Sequence, residues 1–223
     1  MTKTTEELVR IRLDDAALEG VLDFPQSPKG MVLFAHGSGS SRSSPRNQFV
    51  AHRLQGSSLG TLLVDLLTAE EDQDPTRRFD IGFLADRLGR ITEWLARRIA
   101  GTGLRIGYFG ASTGAAAALR AAADLGGIIG AIVSRGGRPD LAADVLPEVE
   151  APTLLIVGGN DEPVTSWNIA AYRRLRATKE LVVMPGATHL FEEPGALEEV
   201  ARLAADWFGR FLPADPLPAR RSP

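Results

Sequence analysis

The sequence predicts an α/β fold with a mostly parallel central sheet, helices on both faces and little or no cap. Three observations predict it. Short, continuous apolar runs recur along the chain, and they suit strands covered on both faces. Stretches with apolar residues at helical spacing alternate with them. Loops rich in glycine and serine follow several of the runs, where an open α/β sheet binds its ligands.

Taken in order, 9–13 and 18–24 read as two short strands turning at Asp14 and Asp15, an antiparallel pair expected at one sheet edge. A breaker-rich loop precedes the strand 30–35 (GMVLFA). A Ser/Gly-rich loop and a helix over 47–59 follow. Residues 61–66 (TLLVDL) form the next strand. The helix 81–99 spaces Phe83, Leu84, Leu88, Ile91, Trp94, Leu95 and Ile99 along one face. Strand 104–109 leads into the alanine-dense helix 113–125, then strand 128–133 and a short helix at 141–146. Strand 153–157, helix 166–177, strand 181–184 and the amphipathic helix 196–211 complete the pattern. With no internal repeat and no linker, 1–212 is expected to be one domain. Residues 213–223, with four prolines and two arginines, read as a disordered tail.

Composition narrows the chemistry. The chain has 223 residues, 44% apolar, enough for a substantial core. Its 25 basic and 28 acidic side chains are mixed, giving a net charge of −3, which argues against nucleic-acid binding. There is no cysteine, which excludes disulfides, thiolate metal sites and a cysteine nucleophile. Only His36, His52 and His189 can supply an imidazole. No segment resembles a secretory signal, and no apolar run reaches the ~18 residues of a membrane helix. The expectation is a cytoplasmic protein with a small-molecule partner and no nucleic-acid or membrane partner.

Residues just past the strands carry the chemistry. Ser112 is centred in Gly110-Ala111-Ser112-Thr113-Gly114, between a strand and a helix. Such a turn brings the residues two positions away against the serine's own backbone, where only glycine fits. A serine hydroxyl needs an imidazole to take its proton, and the imidazole needs a carboxylate to orient it. Asp161 after one late strand and His189 after the last supply both, in the order Ser–Asp–His. Each has a bland alternative, a loop turn for Asp161 and a surface position for His189. Thr113 is the first backbone donor for an oxyanion, and Ser38, with Gly39 as the neighbouring alternative, is the second. His36 reads as a structural hydrogen-bonder, and His52 has no assigned role. Arg42, Arg46, Arg135 and Arg138 flank the expected cleft and are candidate contacts for an acidic substrate group, or else solvated loop residues. Asp65 is the back-up acid, and Trp167 either lines the pocket or starts a helix.

The stretches LFAHGSGSSRSSPRN, TLLVDLLT, IGYFGASTGAAAAL, SRGGRPDL, APTLLIVGGNDEPV and PGATHLFEEPGALEEVA resemble the dienelactone hydrolase-like group of α/β-hydrolases, over roughly 30–211. The resemblance implies an α/β-hydrolase fold, Ser112 as nucleophile with Asp161 and His189 as partners, no cofactor and a site with little lid. Some small bacterial members occur joined to phosphoribosyltransferase domains, and no such domain is read within these residues. True dienelactone hydrolases use a cysteine nucleophile, so the resemblance implies a serine esterase here. Lactone, thioester or amide cleavage and acyl transfer share that machinery. A non-catalytic binding protein on a hydrolase scaffold is the other class of reading.

Overall fold

The computed structural model describes residues 4–213. Strands β1 (Thr4–Arg12) and β2 (Ala17–Pro25) pair antiparallel, closing at Arg12 opposite Ala17. Six more strands follow: β3 (Met31–Ala35), β4 (Gly60–Val64), β5 (Ile106–Ala111), β6 (Ile129–Arg135), β7 (Thr153–Gly158) and β8 (Lys179–Met184). All eight form one sheet, in the order β1-β2-β4-β3-β5-β6-β7-β8. β2 meets β4 antiparallel, and every later pairing is parallel. The opening pair therefore sits at one edge.

Helices cover both faces because the inner strands are apolar on both. Val32 and Phe34 of β3 pack with α1 (Pro45–Gly56) and α6 (Ala196–Phe211). Met31, Leu33 and Ala35 point the other way, toward α3 (Ile81–Arg98) and α4 (Thr113–Leu125). The period-two alternation of a strand thus feeds two cores. In α3, Asp80 caps the N-terminus by accepting the Phe83 N–H at 3.0 Å, and Ile81, Leu84, Leu88, Ile91 and Leu95 face inward. The buried alanines 115–118 of α4 keep that helix close to both the sheet and α3. Two further helices, α2 (Pro75–Phe79) and α5 (Val164–Arg174), lie in loops after β4 and β7.

Several expected elements change at their edges. α1 ends at Gly56 rather than 59, because Ser58 takes a positive φ of 63° and Leu59 turns toward β4. The expected short helix at 141–146 is instead two 3₁₀ turns, Pro139–Ala142 and Leu146–Glu148. Pro139 and Pro147 each sit at a turn start, where a missing N–H is tolerated, and neither continues as an α-helix. The whole crossing from Arg135 to Thr153 holds nothing larger, so no cap domain is inserted there. Apart from Pro213, the proline-rich tail lies outside the described residues. No helix among the described residues is long and apolar enough to cross a membrane.

The polar segment after β4 carries a 3₁₀ turn (Glu71–Gln73) and α2, neither legible beforehand. Its anchor comes from elsewhere in the chain. Arg87 of α3, 1% exposed, donates to Glu71 at 2.6 and 3.1 Å and to Asp15 at 2.9 Å. One buried guanidinium thereby ties this segment to the β1–β2 turn.

Candidate active site

Ser112 follows β5 with φ 51° and ψ −122°, a left-handed strand-to-helix turn. The flanking glycines are obligatory for space. A Cβ on Gly114 would lie 2.2 Å from the Ala35 carbonyl oxygen, and one on Gly110 would lie 2.5 Å from the Ala115 Cα. Ser112 stands at the N-terminus of the 13-residue α4, where the helix field favours negative charge.

The acid and the histidine are brought together by a second set of backbone contacts. The Gly159 N–H donates to the Met184 carbonyl at 2.8 Å, and the Asn160 N–H to the Ala187 carbonyl at 2.9 Å. The Asn160 side-chain amide adds a bond to the Gly186 carbonyl at 3.1 Å. A Cβ on Gly158 would lie 2.4 Å from the Ala187 carbonyl oxygen, so the loops after β7 and β8 pack backbone to backbone. Asn160 is thus a tie between these loops. Asp161, buried in this contact, accepts a 2.7 Å hydrogen bond from His189 Nδ1. A carboxylate can only accept, so Nδ1 carries the proton and Nε2 presents a lone pair.

Ser112 and His189 line one cavity of about 620 Å³ together with Gly37, Ser38, Arg46 and Arg135. Thr113 lies buried behind Ser112 at the first position of α4. Its hydroxyl accepts the Ser38 N–H at 2.8 Å, so that donor is engaged in the free protein. Gly39, with φ 69°, also lines the cavity.

His36 is held as a neutral ring. The Leu66 N–H donates to its Nε2 at 2.9 Å, so its proton sits on Nδ1, 3.0 Å from the Gly37 carbonyl oxygen. Burial holds its pKa below the ordinary imidazole value. It braces the loop after β3 and does not line the Ser112 cavity.

The four candidate arginines separate by their partners. Arg42 is ion-paired with Asp65 and Glu19 and lines a neighbouring cavity. That pairing also occupies Asp65 away from His189. Arg138 chelates Asp140 at 2.9 and 2.8 Å and stacks 4.2 Å over Trp167, placing both outside the Ser112 cavity. Arg46 lines the cavity and reaches Glu192 at 3.0 Å. Arg135 also lines it, buried and paired with no carboxylate among the described residues. The serine-rich composition of the loop after β3 is the signal for Ser40, Ser41, Ser43 and Ser44, which also line the cavity and lie outside the Ser–Asp–His pattern. Asp72 and Leu190, also on the wall, carried no recognisable signal.

The profile of the dienelactone hydrolase family matches residues 72–212, well over half of the chain. The chain belongs to that family. A crystal structure of dienelactone hydrolase from Anabaena variabilis is 54% identical, with a TM-score of 0.90, covering 94% of this chain and 99% of that one. Two Mycobacterium tuberculosis strains have a protein, named as a phosphoribosyl transferase, that is 54% identical over 203 residues. The match takes in 91% of this chain and 46% of theirs, so the chain spans about half the length of these curated relatives. An α/β serine hydrolase homologue from Coxiella burnetii shares 21% identity at a TM-score of 0.76, a likeness in fold alone. The fold of this dienelactone hydrolase family member is therefore the α/β-hydrolase fold, and family membership supports hydrolase chemistry.

Proposed function

We propose that the protein is a cofactor-independent serine hydrolase of carboxylic esters of small, soluble molecules. The observation that carries this reading is the 2.7 Å bond from His189 Nδ1 to buried Asp161, with Ser112 in its left-handed turn on the same cavity. Ser112 Oγ attacks the ester carbonyl while His189 Nε2 takes its proton. Asp161 holds the ring in the reactive tautomer and offsets the positive charge it gains. The N–H groups of Thr113 and Ser38 receive the developing oxyanion. His189 then protonates the departing alkoxide, leaving an acyl group on Ser112. A water, deprotonated by His189, attacks that acyl group, releases the acid and restores the serine.

A fluorophosphonate probe should label the protein covalently, and Ser112→Ala should abolish the label. A panel of p-nitrophenyl esters varied in acyl length and charge, run against the same variant, identifies the substrate range. Undiminished labelling of Ser112→Ala would refute the assignment. Failure of the unmodified protein to react with any such probe would return the non-catalytic reading.

A further inference from the structure

Arg135 ends β6, one strand over from the nucleophile's turn, and the Ser112 N–H donates to its carbonyl oxygen at 3.3 Å. Its side chain faces the Ser112 cavity although the residue is only 7% exposed. Nε and Nη1 are buried with no hydrogen-bond partner among the described residues. The Phe191 ring, 5.8 Å away, offers the guanidinium a π face but no oxygen.

Arg46, in the first turn of α1, reaches the same cavity. Its Nη1 holds Glu192 at the rim, but its Nε is buried and unpartnered. Burial, reinforced by the nearby charge of Arg46, pushes the Arg135 pKa down to about 10, so it stays a cation at neutral pH. The carboxylate on this wall, Asp72, is engaged by Arg78 at 3.0 and 3.1 Å. A buried charge with open donors is costly unless an anion completes it.

We propose that Arg135 and Arg46 form a phosphate subsite beside Ser112, and that the esters hydrolysed carry a phosphate group away from the scissile bond. This rests on the hydrolase reading above. The phosphate is bound and not transferred. One guanidinium edge already satisfies the two oxygens of a carboxylate. Here two guanidinium groups hold buried, unpaired N–H donors at the cavity, Ser38, Ser40 and Ser43 also line it, and the N-terminus of the 12-residue α1 borders it. A phosphate monoester, with three terminal oxygens and about −1.5 to −2 charges, can use that many donors.

The first test is competition by inorganic phosphate against p-nitrophenyl acetate hydrolysis, at ionic strength matched with sodium chloride. Phosphate should raise KM and leave kcat unchanged. Arg135→Met should weaken the inhibition by about tenfold or more, as expected for loss of a charge-assisted contact, and Arg135→Lys should retain part of it. The second test compares 2-acetoxyethyl phosphate, 3-acetoxypropionate and neutral 2-acetoxyethanol. The phosphate ester should give the highest kcat/KM, and its ratio to the neutral ester should collapse in Arg135→Met, whereas a merely structural arginine would lower both together. If Arg135→Met does not fold, Arg46→Gln should give a smaller shift in the same ratio. Calorimetric titration of inorganic phosphate into the Ser112→Ala protein reads the subsite without chemistry. Absence of binding there, or a preference for the carboxylate ester, would overturn the subsite while leaving Ser112 labelling intact. Loss of labelling with phosphate binding retained would overturn the hydrolase reading instead.

Discussion

Replacing Gly114 by alanine adds one methyl group where the backbone leaves no room. The new Cβ would sit 2.2 Å from the Ala35 carbonyl oxygen and 2.4 Å from that of His36. Non-bonded heavy atoms settle at ~3.5 Å or more, so α4 and the end of β3 must separate by about 1 Å. Both contacts are backbone atoms, and no side chain can rotate away to absorb the shift. Overpacking of this kind costs about 1–3 kcal/mol. In a chain of this length each kcal/mol moves Tm by about 2–4 °C, so a fall of about 2–12 °C is expected. Activity should suffer more, because Ser112 directly precedes α4 and moves with it. A misplacement of about 1 Å costs on the order of a hundredfold in rate. The same substitution at Gly89 in α3, where a Cβ meets nothing within 4 Å, should raise stability by about 0.5–1 kcal/mol. Thermal unfolding and p-nitrophenyl acetate kinetics on the two variants read both effects. A Gly114→Ala protein as stable and as active as its parent would refute the close packing of β3 against the elbow.

Asp161→Asn should leave the fold intact and lower kcat by about 10⁴-fold, since the amide permits the wrong imidazole tautomer; steady-state kinetics with an unfolding control measures this, and a loss under tenfold would count against the triad. His36 makes stability depend on pH. An unfolded histidine binds its proton near pH 6.5, whereas buried His36 binds it only at lower pH, so unfolding takes up protons in between. Stability should fall as pH drops below about 6.5 toward the depressed folded value, and urea midpoints across pH should show this slope flattened in His36→Gln. Arg87→Met should destabilise by about 1–3 kcal/mol, below the cost of stranding a buried charge, because the Glu71 and Asp15 carboxylates left behind reach solvent. Limited proteolysis within 66–80 should quicken in that variant.

How far the sequence carried depended on whether a residue's surroundings were local. β3, β4 and β7 were legible as continuous apolar runs because both their faces are covered. α4 and α6 begin and end where their patterns do. The segment holding α2 was not legible, since it is polar and its anchor, Arg87, enters from another helix. Ser112 and His189 could be singled out because they follow strands, and the fold collects such positions at the carboxyl ends of the strands. The arginines could not be sorted. In the sequence Arg42, Arg46, Arg135 and Arg138 look alike, and only the partners reached across the fold distinguish them. Asp65 and Glu19 claim Arg42, and Asp140 claims Arg138.

The bond from the Ser38 N–H to the Thr113 hydroxyl bears on selectivity between ground and transition states. In the proposed reaction, a substrate oxygen reaching that donor must displace an oxygen already there. A neutral carbonyl is scarcely a better acceptor than a hydroxyl, so the exchange gives the bound ester little advantage. An alkoxide-like oxygen accepts far more strongly, and displaces the hydroxyl as the carbonyl rehybridises. In that reaction Thr113 would act as a threshold, holding the loop in position while withholding the donor until negative charge had formed.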